Sequence, residues 1–354
     1  MDKYKIDSHK LIYHVLRVNK WLDGENIYPI YVEIGLHGEC NHNCFFCAFD
    51  YLDKKPDVLD ENIAKDLLLE LSKKGIKSIL YSGEGEPLLH KKAKEIIAFT
   101  KENKIDAALS TNGVLFDEVV ANEILPHLTW IRVSLNAGSK ESYSDIHGTD
   151  PEDFERVIKN LRSAVKLKRD NKYACTIGVQ FLLLPKNVKE LVPLASVLKS
   201  IGVDYLVVKP YSQHPSSKNK IIDVISPDEL LALDKELEQF SGNGFDVIFR
   251  CRAIDKMKEE KPYDRCYGLS FITHIAASGE VYPCNAFVGN KDYVYGNINQ
   301  DSFEDIWNGE KKINVVSKIQ KECDLKICRK SCRMDEINRY LWELKNPDNH
   351  SNFI

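Results

Sequence analysis

The stretch CNHNCFFC, residues 40–47, decides which fold and which chemistry this chain can support. It places Cys40, Cys44 and Cys47 in a CX3CX2C spacing. Three thiolates this close can bind three irons of one 4Fe–4S cluster and leave the fourth iron open to a small chelating ligand. Buried structural cysteines and zinc are the alternatives, but zinc sites usually add a second CX2C or an HX3–5H, and neither lies nearby. The spacing therefore predicts an iron–sulfur cluster.

The same stretch resembles the signature of the radical S-adenosylmethionine (SAM) superfamily. Phe46, just before the third cysteine, matches the aromatic residue that this superfamily places against the adenine of SAM. The resemblance implies that SAM binds the open iron and is cleaved to a 5′-deoxyadenosyl radical, which abstracts hydrogen from an unactivated C–H bond. It also implies an electron donor such as flavodoxin or ferredoxin.

Composition describes an ordinary globular chain. Its 354 residues suggest about two domains, and 43% are hydrophobic and 29% charged. The net charge is −4 and no basic tract stands out, so we expect no nucleic-acid partner. No apolar run approaches the ~20 residues of a membrane helix, and residues 1–10 lack the apolar core of a signal peptide. We therefore expect a cytoplasmic protein with no membrane partner, whose ten cysteines serve metal or redox chemistry.

Strands and helices alternate over residues 28–215. Apolar, β-rich runs predict six strands, at 31–36, 76–81, 106–110, 130–135, 176–184 and 205–210. Asp60 and Pro151 mark the starts of two intervening helices, and Pro193 predicts a kink or a late start in another. Six such repeats imply an α/β fold with a parallel sheet. Periodicity does not choose between an open sheet and a barrel, whereas the resemblance implies a partial (β/α)6 barrel over residues 28–215.

Other segments frame this barrel. Within residues 1–27 we expect a helix, over 8–22, that closes the bottom of the barrel. Residues 216–261 are predicted to form a linker that includes a helix near 227–240 and a strand near 245–250. Residues 262–354 form a separate C-terminal unit, because the spacing of cysteines and turns changes there.

Glycines and a carboxylate follow the second predicted strand, in the sequence YSGEGEP of residues 81–87. Ligands gather at strand C-termini in parallel α/β folds, and a carboxylate there can bind an ammonium group. Taken alone, a tight turn explains the motif equally well. Gly85 and Glu86 resemble the Gly-Gly-Glu motif of the family, which implies that they hold the amino group of SAM. Gly83 and Glu84 are weaker candidates for the same role.

Polar residues also mark the ends of the later strands. The candidates on the third to sixth strands are Ser110, Asn112, Ser134, Asn136, Gln180 and Lys209. The resemblance implies that the first four approach the ribose and carboxylate of SAM, and turn or capping roles are the alternative. The last two are candidates for binding SAM or substrate, against a buried hydrogen bond. Arg132 and His147 are weaker substrate candidates.

Five cysteines in the last third resemble the twitch/SPASM auxiliary-cluster domains of radical SAM enzymes. A full SPASM domain has about seven cysteines for two clusters, so this shorter set implies one auxiliary 4Fe–4S cluster. The expected ligands are Cys266, Cys284, Cys328 and Cys332, with Cys323 as a substitute. A zinc site is the competing interpretation.

Two cysteines remain unassigned. Cys175 starts an apolar strand, which favours a packing role. Cys251 ends the strand near 245–250, which could face the barrel mouth. Radical SAM epimerases return a hydrogen atom to the substrate from a cysteine thiol, so the resemblance makes Cys251 our candidate catalytic donor. A core cysteine or a spare cluster ligand is the alternative.

The leading hypothesis is a radical SAM enzyme that epimerises or oxidises a carbinol carbon of a small-molecule substrate, a polyol or sugar-like compound. It depends on the single expected auxiliary cluster, on Cys251 and on the expected absence of a peptide-binding module before the barrel. The first alternative is a maturase that modifies a peptide or protein side chain. The second is a non-catalytic zinc-binding interaction protein.

Overall fold

The computed structural model describes residues 3–6, 8–53, 55–221, 225–250, 259–326, 328–329 and 332–353. Within these residues one ten-stranded sheet crosses the molecule. Its strands are β1 Tyr31–Ile34, β2 Ser78–Tyr81, β3 Asp106–Thr111, β4 Leu128–Ser134, β5 Thr176–Leu183, β6 Tyr205–Pro210, β7 Asp246–Phe249, β8 Ile272–Ile275, β9 Glu280–Tyr282 and β10 Gly296–Asn297. They lie in the order β10-β9-β8-β1-β2-β3-β4-β5-β6-β7.

Strands β1 to β7 run parallel, each paired with the next. Tyr31 of β1, Arg132 of β4, Gln180 of β5 and Lys209 of β6 line one cavity. Side chains from both halves of the sheet can meet in this way only if the sheet curves around the cavity as an incomplete barrel. The α/β fold and the six strands predicted from the sequence are confirmed, and the strand predicted near 245–250 is also confirmed, as β7 paired with β6.

The helices follow the strands in the expected alternation. They are α1 Val15–Leu22, α2 Glu61–Lys73, α3 Ala93–Glu102, α4 Glu118–Ile124, α5 Lys140–His147, α6 Glu152–Asn171, α7 Leu191–Ile201, α8 Pro227–Glu238, α9 Phe303–Asn308, α10 Glu310–Glu322 and α11 Asp335–Lys345. Asp60 caps α2 by accepting the backbone N–H groups of Asn62 and Ile63. The late start predicted from Pro193 is also confirmed, because α7 begins at Leu191 and places the proline in its first turn.

The N-terminal helix is shorter than expected, and Arg17 within it donates to the carbonyls of Tyr28 and Gly75, just before β1 and β2. It begins at Val15, and Val18 packs with Tyr263, Phe271 and Leu341 in a hydrophobic cluster beside the C-terminal unit. Residues 3–6, upstream of the helix, line the barrel cavity instead. Val18 is the buried residue of this helix, and those partners lie more than 240 residues away in sequence, whereas Val15 and Leu16 remain exposed.

The C-terminal unit completes the sheet of the barrel. Strand β8 pairs in parallel with β1, opposite the edge that β1 shares with β2. At this joint His274 of β8 lies between two carboxylates, with Nδ1 3.8 Å from Glu33 and Nε2 3.5 Å from Glu84. Glu33 also accepts the Arg333 guanidinium at 2.8 Å, and Glu84 accepts the backbone N–H of Ala277 at 2.7 Å.

These contacts fix the charge states at the joint. Burial opposes the charged form of His274, but the carboxylates of Glu33 and Glu84 outweigh it and raise its pKa to about 9. Burial likewise opposes the charge on Glu33, yet Arg333 and His274 hold the pKa of that carboxyl at about 2. At neutral pH the joint therefore contains two carboxylate anions, Glu33 and Glu84, paired with two cations, His274 and Arg333.

We expect His274→Leu to destabilise the protein by about 3 kcal/mol at pH 6, because the raised pKa corresponds to that much interaction with the charged form. The imidazolium contribution is complete below the unfolded-state pKa of about 6.5 and is lost as the pH rises through about 9. The stability gap between wild type and variant, measured by urea unfolding, should therefore shrink from pH 6.5 to 9. His350→Leu, at an exposed position, is the control, and a gap that does not depend on pH would show that His274 is uncharged.

Candidate functional site

The cysteine loop, residues 40–47, follows β1 and is held from two sides. On one side Asn43 and Phe45 donate their backbone N–H groups to the carbonyls of His147 and Ile146, at the end of α5, at 2.9 and 3.3 Å. On the other side the backbone N–H of Glu86 donates to the Glu39 carbonyl at 2.9 Å. The loop is thereby clamped between α5 and the turn after β2.

Two glycines make this clamp possible. A Cβ on Gly85 would lie 2.2 Å from the carbonyl oxygens of His37 and Glu39. A Cβ on Gly148, whose φ is +58°, would lie 2.4 Å from the carbonyl oxygen of Asn43. Both positions need glycine because the backbone of the cysteine loop occupies the space of a side chain.

His147 contacts the cysteine loop through its ring. Its Nε2 accepts a hydrogen bond from the backbone N–H of Asn136 at 3.3 Å, because that group can only donate. Its Nδ1 lies 3.4 Å from Cys44 Sγ. Burial and the neighbouring His42 lower the pKa of His147 to about 3, so the ring is neutral. The proton must therefore sit on Nδ1, which donates it to the sulfur. The sequence suggested His147 only as a substrate contact, since nothing local links residues 44 and 147.

Glu86 lies beneath the loop and is 2% exposed. Its carboxylate accepts hydrogen bonds from the Thr111 hydroxyl at 2.7 Å and from the backbone N–H of Asn112 at 2.8 Å. Burial raises the pKa of this carboxyl group. Asn112 in turn donates its side-chain amide to Asn41 at 2.6 Å. Glu86 and Asn112 thus connect the end of β3 to the cysteine loop, and their roles in holding SAM stay predictions.

The other SAM candidates differ in accessibility. Ser110 and Ser134 are half-buried at the ends of β3 and β4, and Phe46 packs edge-on against His147 with ring centroids 5.6 Å apart. Asn136 is 1% exposed, and its side-chain oxygen accepts the backbone N–H of β5 residue Leu182 at 2.6 Å. That contact supports the strand, and the predicted contact between Asn136 and SAM stays a prediction.

The polar segment of residues 212–220 is folded onto the residues that follow the cysteine loop. His214 is 1% exposed and its ring stacks on Tyr51 with centroids 5.1 Å apart. The Asp50 carboxylate accepts the backbone N–H groups of Lys218 and Asn219 at 3.0 and 2.7 Å. These contacts fix the chain after β6 beside the residues that follow Cys47.

The barrel encloses a cavity of about 590 Å³. Gln180 and Lys209 line it together with Arg132, whereas the cysteine loop does not contribute to its lining. Burial, followed by the neighbouring arginines, lowers the pKa of Lys209 well below its usual value. This placement favours the substrate alternative for Gln180 and Lys209 over the SAM alternative.

The C-terminal cysteines meet around a second, small cavity of about 40 Å³. It is lined by all five of them, Cys266, Cys284, Cys323, Cys328 and Cys332. Asn338 donates its side-chain amide to Cys266 Sγ at 3.5 Å, and the Met334 backbone N–H donates to Cys332 Sγ at 3.3 Å. Burial raises the pKa of Cys266 to about 12, so its thiolate needs a metal to stabilise it. The donor set fits one iron–sulfur cluster, and the choice of four ligands among five stays a prediction.

Two basic residues beside these cysteines were not predicted from the sequence to belong to the site. Arg329 and Arg333 each follow a cysteine directly, in the order Cys328-Arg329 and Cys332-Arg333. The signal was present, because arginines interleaved with cysteines can offset the negative charge of a thiolate-bound cluster. Cys251, the candidate hydrogen-atom donor, lies outside the described residues.

Two family models match this chain in succession. The radical SAM superfamily model covers residues 36–198, and an iron–sulfur cluster-binding (SPASM) model covers residues 266–333. The chain contains a radical SAM domain followed by an iron–sulfur cluster-binding (SPASM) domain. Its cofactors are accordingly 4Fe–4S clusters and SAM. No helix among the described residues is long and apolar enough to cross a bilayer.

Two relatives of this chain carry names that describe different functions. A tungsten-containing aldehyde ferredoxin oxidoreductase cofactor-modifying protein of Pyrococcus furiosus is 22% identical over 79% of this chain and 81% of its own. A probable GTP 3′,8-cyclase of Methanocaldococcus jannaschii is 31% identical, over 50% of this chain and 58% of its own length.

The fold is shared with a solved radical SAM structure. SuiB of Streptococcus suis, bound to SAM, superposes with a TM-score of 0.67 over 96% of this chain and 79% of its own, at 18% identity. SuiB has also been solved with its precursor peptide SuiA, and that structure gives a TM-score of 0.68. At this identity the likeness concerns the fold alone.

We expect the anaerobically reconstituted protein to hold about eight irons and eight sulfides, because the three plus four proposed cysteine ligands hold two 4Fe–4S clusters. Replacing Cys40, Cys44 and Cys47 together with alanine should leave about four irons and abolish SAM cleavage. Iron and sulfide analysis with 5′-deoxyadenosine quantification makes the measurement, and Cys175→Ala is the control because that thiol is in the core. Full SAM cleavage by the triple variant would remove these cysteines from the site.

His147→Leu should make the reduction potential of the cluster at Cys44 more negative. Loss of one N–H···S hydrogen bond removes about 1 kcal/mol of stabilisation from the reduced, more negative cluster. For a one-electron reduction this corresponds to a shift in potential on the order of 40 mV. His147→Gln retains an N–H donor and should recover part of the shift. A potential monitored by electron paramagnetic resonance that is identical in all three proteins would exclude the hydrogen bond.

Proposed function

We propose that this radical SAM protein oxidises a carbinol carbon of a small sugar-like or polyol substrate held in the barrel cavity. The observation that carries the proposal is the cavity itself, about 590 Å³ and lined by hydrogen-bonding side chains that include Gln180, Arg132 and Lys209. A volume of ~300–1,000 Å³ is typical of small-molecule sites. Hydroxyl groups of a polyol suit the amide and the cationic donors of this lining.

In the proposed enzyme the cysteine loop binds the first cluster, and residues near the strand ends contact SAM. Cys40, Cys44 and Cys47 hold the first cluster and leave one iron for SAM. The SAM contacts come from Phe46 of the cysteine loop and from the remaining candidates after the strands, Gly85, Glu86, Ser110, Asn112, Ser134 and Asn136. Four C-terminal cysteines, Cys266, Cys284, Cys328 and Cys332, hold the auxiliary cluster. Flavodoxin or ferredoxin is the proposed electron donor.

Oxidation is favoured by the position of the auxiliary cysteines. Cys332, Asn285 and Arg329 line both the barrel cavity and the small cavity between the cysteines. When bound, SAM and the two clusters supply a radical that takes the carbinol hydrogen atom and an acceptor for the electron left behind. The hydroxyl proton leaves to water, so the substrate loses two hydrogens in total and becomes a carbonyl compound.

Epimerisation is the alternative outcome of the same hydrogen abstraction. It needs a hydrogen-atom donor on the far face of the substrate, and Cys251 is the candidate. Strand β7 ends at Phe249, beside the end of β6, where the chain leads towards Cys251. Cys251 itself lies outside the described residues, so its role as donor is proposed from its place in the sequence.

Peptide modification is a second candidate function, favoured by the likeness to SuiB and its complex with a precursor peptide. The named relatives do not agree with it, since one modifies a cofactor and another is a probable GTP cyclase. The cavity of this chain is therefore the main support for the substrate class.

Product analysis in deuterated water decides between these functions. We expect turnover with a panel of polyols and sugars to yield one 5′-deoxyadenosine per carbonyl product, with no deuterium at the reacting carbon and equal yield from Cys251→Ala. An inverted carbon carrying one deuterium, lost in Cys251→Ala, would establish the epimerase instead. Turnover only with a peptide would establish the maturase.

A further inference from the structure

The lining of the barrel cavity carries an excess of positive charge. Its inner wall includes Arg132, Lys209, Arg250, Arg329 and Arg333, and the only carboxylate among the described lining residues is Glu336. Buried charges are costly unless each has a partner of opposite sign. The partners of these cations therefore show what the cavity is built to hold.

Several of the cations are accounted for within the protein. Arg333 donates to the Glu33 carboxylate at 2.8 Å. Arg329 adjoins Cys328 and interacts with Cys332 and Cys284, so the thiolates of the auxiliary site offset its charge. Arg250 and Glu336 each have polar contacts of their own.

Arg132 and Lys209 remain without such a partner. In the part of the chain that the structure describes, no carboxylate lies within ion-pair distance of either group. The buried Nε of Arg132 has no hydrogen-bond partner, and its guanidinium lies over the Trp130 ring at 5.2 Å, which orients it without neutralising it.

The two cations and Gln180 occupy neighbouring strands. Arg132 lies on β4, Gln180 on β5 and Lys209 on β6, and the register pairs Arg132 with Gly178, two residues before Gln180. Gly178 leaves room there for the Tyr205 ring, because a Cβ at this position would lie 2.0 Å from that ring. An amide donor thus stands between two cationic donors on one wall of the cavity.

We propose that the barrel cavity binds its substrate through an anionic group, a phosphate or a carboxylate, that is held by Arg132 and Lys209. This inference rests on the proposed function and adds the substrate class, an anionic derivative of a sugar or polyol. Both anions present oxygen acceptors that match the guanidinium fork and the ammonium group. The incoming anion supplies a negative charge that the described residues do not place beside Arg132 and Lys209, and the Gln180 amide donates a further hydrogen bond.

The test measures binding of two probes, orthophosphate and acetate, by calorimetry to the cluster-loaded protein without SAM. Arg132→Gln and Lys209→Gln should each weaken binding of the preferred probe about tenfold or more, because each removes a charge-assisted hydrogen bond. Arg162→Gln and Lys91→Gln remove exposed charges outside the cavity and should leave binding within about twofold. Arg132→Lys and Lys209→Arg keep the charge and should restore part of the affinity, which separates charge from folding. The probe that binds more tightly identifies phosphate or carboxylate.

Three results would overturn the proposal. The first is the absence of saturable binding of either probe to wild type. The second is equal losses in cavity and control variants. The third is competition between the probe and SAM together with a weaker SAM affinity in both cavity variants, which would assign the pair to the SAM carboxylate. Saturable, Arg132-dependent binding without any carbonyl product would contradict the oxidation and leave the anion site standing.

Discussion

The pairing of buried charges between the barrel and the C-terminal unit is the constraint on which the rest of the structure depends. His274 enters the sheet on β8 and neutralises Glu33 and Glu84, two carboxylates that the barrel alone would leave buried and repelling each other. Arg333 closes the set at Glu33. Because Glu84 belongs to the turn that clamps the cysteine loop, and Arg333 follows an auxiliary cysteine, these contacts connect the two proposed metal sites.

Local signals in the sequence predicted most of the barrel. The cysteine spacing, the apolar runs and the Asp60 cap depend on neighbours within a few residues, so they could be interpreted without a structure. The missing features are contacts between distant residues. The hydrogen bond from His147 to Cys44 and the pairing of β8 with β1 join segments about 100 and 240 residues apart, and no periodicity encodes them. Glu86 was recognised by its motif, but its protein contacts became visible only in the fold.

The cavity and the auxiliary site share a wall, which links binding to redox chemistry. Arg329 contacts the space on both sides of that wall. A negative cluster on one side and an anionic substrate on the other would both be stabilised by it. The same electrostatics would favour a reduced, more negative cluster when substrate is absent, since fewer cations are then neutralised elsewhere. Substrate charge and cluster potential are therefore coupled in the proposed enzyme.

The parallel pairing of β1 with β8 also has a consequence for biosynthesis. Strand β8 is made about 240 positions after β1, so a ribosome working at ~5–20 residues per second exposes the outer edge of β1 for roughly 10 to 50 s. An unpaired strand edge is a template for wrong association. During that interval the sheet of the nascent barrel is incomplete, and the Glu33 carboxylate lacks the His274 imidazole as its partner. Synthesis of the last third is thus the step that protects the first strand.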